Sequence, residues 1–289
     1  RGSVVTCCAV CREPIEPSEY GWTLIARGEH IDDPRGDEHH RHAPEQVGPF
    51  AELSPPYSTI VVDPPWRYDD GATEGQRASG KRTFLPYSSM SVDEVAAMPV
   101  GALAKPDAHL WLWTTTRYLS SAYSVAASWG FTVGPVLTWC KPENGHPSGG
   151  TFANTSEFLL VCRHNWGPSI AAACTAVGMN AADLHRAVRG GRPTGLTSMW
   201  LKGERYPSDD DWEGIAAATG ATFDLAGPLD GTVSTTWFQW PRGAHSAKPD
   251  AALDLIEWTS PAPRVELFAR APRLGWDSWG KGYEIGASA

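Results

Sequence analysis

The sequence predicts an α/β protein built on a doubly wound sheet, with a helical insert and a small N-terminal module. Short runs that are apolar on both faces, such as 58–62 and 108–115, are typical of central strands in a parallel sheet, because helices cover both sides of such a sheet. Segments with helical spacing alternate with these runs, which indicates right-handed crossover connections. Between residues 168 and 232 the chain becomes alanine-rich and helical in pattern, which indicates an insert.

Residues 1–50 have a chemistry of their own. A Cys-x-x-Cys pair lies near the start of this segment, and a histidine-rich stretch follows a polar loop at 39–42. Two thiolates and two imidazoles can complete a tetrahedral zinc site, and a bound zinc would fold a module too short to have its own core. The expected ligands are Cys8, Cys11, His39 and His42, with Cys7, His30 and His40 as alternates. The alternative is a free-thiol pair beside a solvated loop.

The strand at 58–62 runs directly into Asp63-Pro64-Pro65-Trp66. Ligands of parallel sheets bind at the carboxyl ends of the strands, so we expect this motif at the edge of an active site. The polar, glycine-bearing segment 67–82 has no apolar periodicity and is predicted to be a loop. A long loop directly after such a strand is usually functional.

The remaining elements of the sheet domain follow from capping residues and apolar runs. Ser91 and Glu94 form a capping box that opens a helix through about residue 97. The other predicted strands are at 108–115, 131–141, 157–162, 235–238 and 264–270. The other predicted helices are one at 117–129 and one that follows 245–249 and runs to residue 258. The sheet domain therefore comprises 51–167 and 233–289, interrupted by the insert.

The insert at 168–232 is predicted to contain four helices, and its last two resemble a helix-turn-helix module. These two helices flank a Gly/Pro turn, and a group of basic residues precedes an acidic run. The helices are predicted at 169–177, 180–189, 196–201 and 209–219. The basic residues are Arg186, Arg189, Arg192, Lys202 and Arg205. The alternative is a helical cap on the sheet domain.

Length and charge bound the function only loosely. At 289 residues the chain can hold one large core with appendages. The net charge of −9 means that the protein has no overall positive charge to attract nucleic acid, and by itself this charge favours a small-molecule substrate. A local basic patch can nevertheless suffice for binding nucleic acid. No apolar stretch reaches the roughly 18 residues that span a bilayer, and no signal peptide is visible. We therefore expect a cytoplasmic protein without a membrane partner.

The motif fits one kind of chemistry. An exocyclic aromatic amine is a poor nucleophile, because its lone pair is delocalised into the ring. The Asp63 carboxylate and the Pro64 carbonyl could each accept one N–H, which would localise that lone pair toward an electrophile. Pro65 holds Pro64 extended, and Trp66 could stack on the base. Positioning and electrostatics without a covalent intermediate suit methyl transfer from a sulfonium donor.

Asp63-Pro64-Pro65-Trp66 at the end of an apolar strand resembles the signature of the MT-A family, the adenine N6-methyltransferases related to the eukaryotic messenger-RNA adenine methyltransferase. Further stretches resemble this family in the same order along 58–167 and 235–283. They are Pro86–Ser91, Leu110–Trp113, Trp129–Phe131, Leu137–Lys141, His245–Pro249, Arg264–Arg270, Gly275-Trp276 and Trp279-Gly280. One such motif alone is moderately specific, but their ordered occurrence is highly specific.

The resemblance implies a Rossmann-like fold in permuted order and S-adenosylmethionine as the methyl donor. Glu266 would lie near the ribose or the amino-acid end of the donor, and Phe268 against its adenine. The full set of implied cofactor-binding residues is Val62, Asp63, Ser156, His245, Ser246, Lys248, Glu266, Leu267, Phe268 and Lys281. Lys281-Gly282 departs from the family pattern, in which many members carry Asn-Gln for the ribose hydroxyls.

The resemblance also implies a nucleic-acid substrate, and duplex DNA is the expected partner. In permuted DNA adenine methyltransferases the segment between the two halves commonly carries target recognition, and 168–232 occupies that place. The expected substrate-binding residues are Tyr68, Tyr87, Arg67, Lys81, Arg82, Asn154, Arg186, Arg189, Lys202 and Arg205. The predicted activity is transfer of a methyl group to the N6 amine of adenine in DNA. The alternatives are the same chemistry on RNA, or an inactive relative that binds nucleic acid.

Overall fold

The computed structural model of the protein describes residues 49–67, 89–141, 155–241, 248–269 and 273–280. The chain divides into two compact units, Arg1–Ser54 and Pro55–Ala289. Of the first unit, residues 49–54 are described, and they contain a turn in which the Leu53 amide donates to the Phe50 carbonyl at 2.9 Å. The second unit contains every helix and strand named below.

Within the described residues, seven strands form one sheet. The strands are β1 (Tyr57–Val62), β2 (Ala104–Thr115), β3 (Phe131–Cys140), β4 (Ser156–His164), β5 (Trp237–Phe238), β6 (Arg264–Leu267) and β7 (Asp277–Trp279). Their order across the sheet is β5-β3-β4-β2-β1-β6-β7. All run in the same direction except β4, which is antiparallel to both of its neighbours.

Seven α-helices accompany the sheet in the part of the chain that the structure describes. They are α1 (Val92–Ala96), α2 (Leu119–Ser128), α3 (Gly167–Ala176), α4 (Ala181–Val188), α5 (Leu196–Lys202), α6 (Asp209–Thr219) and α7 (Asp250–Thr259). None of these helices has the length and apolar character needed to cross a membrane. The predicted capping box at α1 is confirmed, because Ser91 accepts from the Glu94 amide and the Glu94 side chain accepts from the Ser91 amide.

The centre of the sheet is apolar on both faces. On one face Val61, Trp111 and Trp113 pack in a cluster with Leu253 and Ile256 of α7. The alternate residues of β1 and β2 point to the other face and are also fully buried: Ile60, Val62, Leu110 and Leu112. The two central strands therefore have the double-sided burial that their sequence predicted, and the α/β fold class is confirmed.

Helices α3 to α6 form a subdomain with a core separate from that of the sheet. The buried residues of this core are Trp166, Ile170, Cys174, Leu184, Trp200, Trp212 and Ile215. Caps set the helix ends: the Ser208 side chain accepts from the Asp211 amide at the start of α6, and Gly203 ends α5 in the left-handed region at φ 74°. All four helices lie within two residues of the predicted bounds.

Two features of the sheet differ from the sequence-based expectation. Strand β4 is antiparallel, whereas the alternation of strands and helices suggested parallel crossovers throughout. Strand β6 ends at Leu267 rather than at residue 270, because Phe268 adopts a left-handed conformation with φ 63°. A non-glycine residue in this region cannot continue a strand. Its position at the end of β6 places it beside the site described next.

Candidate active site

The carboxyl ends of β1 and β6 lie side by side and define one edge of the sheet, here called the motif edge. Val62 is paired with Leu267, and the Asp63 amide donates to the Leu267 carbonyl at 3.3 Å. Because β4 runs in the opposite direction, its first residues, Ser156 and Glu157, reach the same edge. The residues predicted from both halves of the chain are therefore brought together here.

The motif that follows β1 is held by its own backbone and by the segment before α1. The Trp66 amide donates to the Pro64 carbonyl at 2.8 Å, and the Met90 amide donates to the Pro65 carbonyl at 2.7 Å. The Arg67 amide donates back to the Met90 carbonyl at 2.8 Å. A carbonyl oxygen has two lone pairs, so Pro64 retains capacity for a second donor. The orientation of its carbonyl is thus set by the protein fold.

Trp66 is buried, with 4% of its surface exposed. Its indole stacks on the Tyr118 ring at a centroid distance of 5.0 Å and an angle of 13°, and its Nε1 donates to the Trp113 carbonyl at 3.3 Å. Tyr118 in turn donates from its hydroxyl to the Arg67 carbonyl. Since Tyr118 covers one face of the indole, the predicted stacking of a base on Trp66 would use the opposite face.

Lys248 joins two carboxylates at the motif edge. Its Nζ lies 3.1 Å from Oδ1 of Asp63 and 2.8 Å from Oε2 of Glu157. Glu157 also forms an ion pair with Lys141. Each lysine ammonium lies over an indole, that of Lys248 at 4.8 Å from the Trp113 ring centroid. Charges of both signs therefore alternate along this edge in a largely buried setting.

Burial and neighbouring charges shift the titration of this cluster in opposite directions. Burial disfavours the charged form of Lys248, but Asp63 and Glu157 outweigh it and raise the pKa of the ammonium. Burial likewise opposes ionisation of Glu157, yet Lys248 and Lys141 lower its pKa. Both groups are therefore charged at neutral pH. The ion pairs hold the Asp63 carboxylate in a fixed position.

Glu266 behaves differently from the other two carboxylates. It lies on β6 beside Val61 and is 5% exposed. Burial, with the charge of Asp63 adding to it, raises the pKa of Glu266 to about 7. The carboxyl group is therefore divided between its neutral and charged forms at neutral pH. Such strongly shifted groups in clefts are frequent at functional sites.

Phe268 closes the end of β6. Its amide donates to the Trp279 carbonyl at 2.6 Å, and its ring meets the Trp279 ring edge-on at a centroid distance of 5.4 Å. A Cβ on Gly280 would lie 3.2 Å from Phe268, so the chain requires a small residue there. An aromatic ring is thus fixed next to Glu266 and Asp63 at the motif edge.

Several predicted residues lie outside the described residues, and their roles stay predictions. They are Tyr68, Lys81, Arg82, Tyr87, Asn154, His245, Ser246 and Lys281, together with the four predicted zinc ligands Cys8, Cys11, His39 and His42. In the described part of the chain, no group of three His, Cys, Asp or Glu side chains could hold a metal ion. Arg67 is described, and its guanidinium pairs with Glu94 at 2.9 Å.

The helical insert joins the sheet at the opposite edge, here called the far edge, where β1 and β2 begin and β4 ends. Asp107 of β2 is fully buried there and accepts four hydrogen bonds, from Arg163, from the Tyr206 hydroxyl, and from the amides of Ala226 and Gly227. Arg163 lies six residues along β4 from Glu157, which at about 3.4 Å per residue is about 20 Å. The insert is therefore anchored well away from Asp63.

The basic residues predicted on the insert have unequal roles in its structure. Arg189 ties α4 to α6, with its Nε 2.5 Å and its Nη2 2.6 Å from the Asp211 carboxylate. Arg186 pairs with Asp183 one turn earlier on α4. Lys202 lies 3.8 Å from Glu204, and Arg205 is exposed. Arg189 is thus a structural contact, whereas the other three extend into solvent.

Sequence reasoning missed two charged residues of the site. Lys141 ends a stretch that resembles the family and Glu157 begins a predicted strand, but no role was predicted for either. Glu157 lies at the start of a strand with a buried centre and Lys141 follows the end of the neighbouring strand, and a charge at such a strand end is the signal that could have identified them. The start of β4 lies at the motif edge only because this strand is antiparallel to its neighbours. Glu157 was therefore not predicted for the same reason that the direction of β4 was not predicted.

Comparison with known proteins agrees with this arrangement. Residues 57–169 match the family MT-A70. The chain is 24% identical over 254 residues to the type II methyltransferase M.MunI of a Mycoplasma species, which covers 81% of this chain and 83% of that relative. It is 29% identical over 147 residues to the N6-methyladenosine RNA methyltransferase MTA1 of Cryphonectria parasitica, which covers 47% of this chain and 42% of that relative. Residues 57–169 thus match the family that the motifs of this stretch resemble, and both relatives are methyltransferases.

Proposed function

We propose that the protein transfers a methyl group from S-adenosylmethionine to the N6 amine of adenine in DNA. The observation that carries this proposal is the Asp63 carboxylate, held by Lys248 at the end of a central strand beside the fixed Pro64 carbonyl. Two acceptors on adjacent residues, each held by the fold, match the two N–H groups of an exocyclic amine in number. Preorganised acceptors of this kind stabilise the positive charge that develops on the nitrogen.

Lys248 and Glu157 act by positioning the acceptor. The ammonium of Lys248 is shared between the two carboxylates, so Asp63 cannot rotate away without breaking an ion pair that is largely buried. Tyr118 and Trp113 fix Trp66 in the same way, through a stacked ring and a hydrogen bond. These residues would hold the adenine in a reactive geometry, and no residue of the site needs to form a covalent bond to it.

The residues at the motif edge fit the methyl donor. A carboxylate on the donor needs a cation, which the buried Lys248 supplies, and ribose hydroxyls need an acceptor such as Glu266. An adenine ring needs an aromatic neighbour, and Phe268 is fixed at the end of β6. When bound, S-adenosylmethionine supplies an electrophilic methyl group on a sulfonium. The remaining predicted donor contacts are Val62, Ser156, His245, Ser246, Leu267 and Lys281.

We favour DNA over RNA as the substrate for two reasons. The similarity to the type II methyltransferase extends over about four-fifths of this chain and therefore reaches beyond the family domain, whereas the similarity to the RNA methyltransferase covers less than half. The insert at 168–232 also occupies the position at which permuted DNA adenine methyltransferases commonly carry target recognition. RNA remains the second candidate, and the RNA methyltransferase relative is the observation that favours it.

The experiment is mass spectrometry of nucleosides from the DNA and the RNA of cells that express the protein, with cells carrying an empty vector as the control. We expect N6-methyladenine in the DNA above the control level. A rise confined to RNA would replace DNA by RNA as the substrate. No rise in either, together with no methyl transfer by the purified protein to either nucleic acid, would leave only an inactive nucleic-acid-binding relative.

A further inference from the structure

Charge is segregated along the helical insert. Between residues 186 and 205 the chain carries five basic side chains and one acidic side chain, Glu204. The basic ones are Arg186, Arg189, Arg192, Lys202 and Arg205. Between residues 206 and 232 it carries six acidic side chains and no basic one: Asp209, Asp210, Asp211, Glu213, Asp224 and Asp230. The insert is acidic overall, but one part of it can meet a polyanion.

Helix α5 lies within the basic part and is exposed along one side. Gly195, Ser198, Met199 and Lys202 are exposed and follow the helical spacing of three and four residues, so they form one stripe. The opposite side of α5 is fixed, because Trp200 is fully buried in the insert core and the Thr197 hydroxyl donates to the Ala181 carbonyl at 3.0 Å. The stripe is therefore presented by a rigid support.

Among the described residues, Lys202 at the end of this stripe and two arginines near it have side chains that make no hydrogen bonds inside the insert core. Arg192 and Arg205 are exposed on either side of α5, and the Lys202 side chain is 66% exposed at its end. Arg189 is excluded from this group, since both ends of its guanidinium contact Asp211. A short helix that carries an exposed stripe with cations at and beyond its ends has the form of a helix that enters the major groove.

We propose that the exposed stripe of α5, with Arg192, Lys202 and Arg205, is a docking surface for duplex DNA. This inference rests on the proposed function for the identity of its partner. The surface belongs to the subdomain anchored at the far edge of the sheet, about 20 Å from the motif edge. A duplex rises about 3.4 Å per base pair, so the surface would contact DNA about six or more base pairs from the methylated adenine.

The test compares two charge variants of the full-length protein in fluorescence anisotropy with a labelled duplex of roughly three helical turns. One carries Arg192→Gln, Lys202→Gln and Arg205→Gln. The matched control carries Asp209→Asn, Asp210→Asn and Glu213→Gln, which removes the same number of charges from the acidic part. Binding is measured between about 50 and 200 mM salt, because each neutralised phosphate contributes about 0.9 to the slope of log affinity against log salt.

We expect the basic-residue variant to lose about two to three units of this slope, and the acidic-residue variant to keep the wild-type slope or exceed it. An unchanged slope in the basic-residue variant, with a wild-type thermal unfolding profile, would overturn the proposal. A loss of the same size in both variants would also overturn it, because the effect would then not belong to the α5 surface.

Hydroxyl-radical footprinting tests the position of the surface once the methylated adenine has been mapped. We expect the wild-type protein to protect the adenine region and a second region about six or more base pairs to one side. The basic-residue variant should lose only the second region. Methylated DNA in cells with an unchanged footprint in this variant would refute the docking surface alone. A changed salt slope without methylation in any nucleic acid would refute the proposed function alone.

Discussion

Each edge of the sheet has a carboxylate near a strand terminus, fully buried in Asp107 and partly buried in Asp63, and the two are satisfied in different ways. At the far edge Asp107 accepts four hydrogen bonds, two of them from backbone amides that cannot move without moving the chain. At the motif edge Asp63 is paired with Lys248, which is shared with Glu157. A side-chain cation can change partners when a ligand arrives, whereas backbone donors cannot. The far edge is therefore built for stability and the motif edge for chemistry.

The largest expected effect is at the motif edge. Asp63→Ala removes one of the two acceptors proposed for the amine, and we expect methyl transfer to fall by about 10²–10³-fold or more. Single-turnover transfer of a labelled methyl group to DNA measures the rate, and calorimetry measures donor binding separately. Urea unfolding should change little, since Lys248 keeps Glu157 as its partner. A rate within about threefold of wild type would remove Asp63 from the proposed mechanism.

At the far edge the same kind of substitution should affect stability and not chemistry. Asp107→Ala leaves Arg163, Tyr206 and two amides without their acceptor, and we expect a loss of about 3–5 kcal/mol in the free energy of unfolding. Asp224→Ala is the matched control, because it removes an exposed partner of Lys105 and should cost under about 1 kcal/mol. If the free energy of unfolding of Asp107→Ala equals that of Asp224→Ala, the hydrogen bonds of Asp107 do not stabilise the fold as described.

The smallest expected effect is in the pH dependence of stability, where one buried group near each edge acts in opposite directions. Glu266 has its pKa raised to about 7 by burial and by Asp63, so the native state binds the extra proton and stability falls as pH rises from about 4.5 to 7. Burial and Arg163 lower the pKa of His109 to about 4, so stability falls as pH drops from about 6.5 to 4.

Two variants separate these contributions by urea unfolding at several pH values. Relative to wild type, Glu266→Gln should lose stability progressively as pH falls from about 7 to 4.5, because only the His109 effect remains. His109→Phe should show the reverse and gain stability relative to wild type over the same fall in pH. Parallel profiles for wild type and either variant would mean that the replaced group does not titrate in this range.

The sequence was sufficient to predict most of the elements, although not β7, because apolar runs and caps are local signals. Capping residues placed the start of α1, and double-sided apolar runs placed β1 and β2. The direction of β4 was not predictable, because strand polarity is set by pairing and not by the residues of the strand. Nor was the end of β6, since the left-handed conformation of Phe268 depends on its contacts with Trp279 and Gly280.

The site was predictable only as far as its motifs. Asp63, Lys248 and Glu266 lie within stretches that resemble the family, and the structure brings all three to one edge. Glu157 was missed because it is 91 residues from Lys248 in sequence and meets it through the sheet. The distance between Asp63 and the insert was also not predictable. The insert lies between the two halves of the sheet domain in sequence, but this does not specify at which edge of the sheet it is attached.

The four hydrogen bonds to Asp107 have a consequence for replacing the helical insert by the insert of a related protein. Three of the four donors, Tyr206, Ala226 and Gly227, belong to the insert, so one carboxylate gathers several of the contacts that attach the subdomain. A foreign module grafted after β4 would need to present three donors to this one acceptor, in addition to partners for Arg163 and Lys105. Asp107 is therefore an attachment point at which the helical subdomain could be exchanged while the residues of the motif edge are left unchanged.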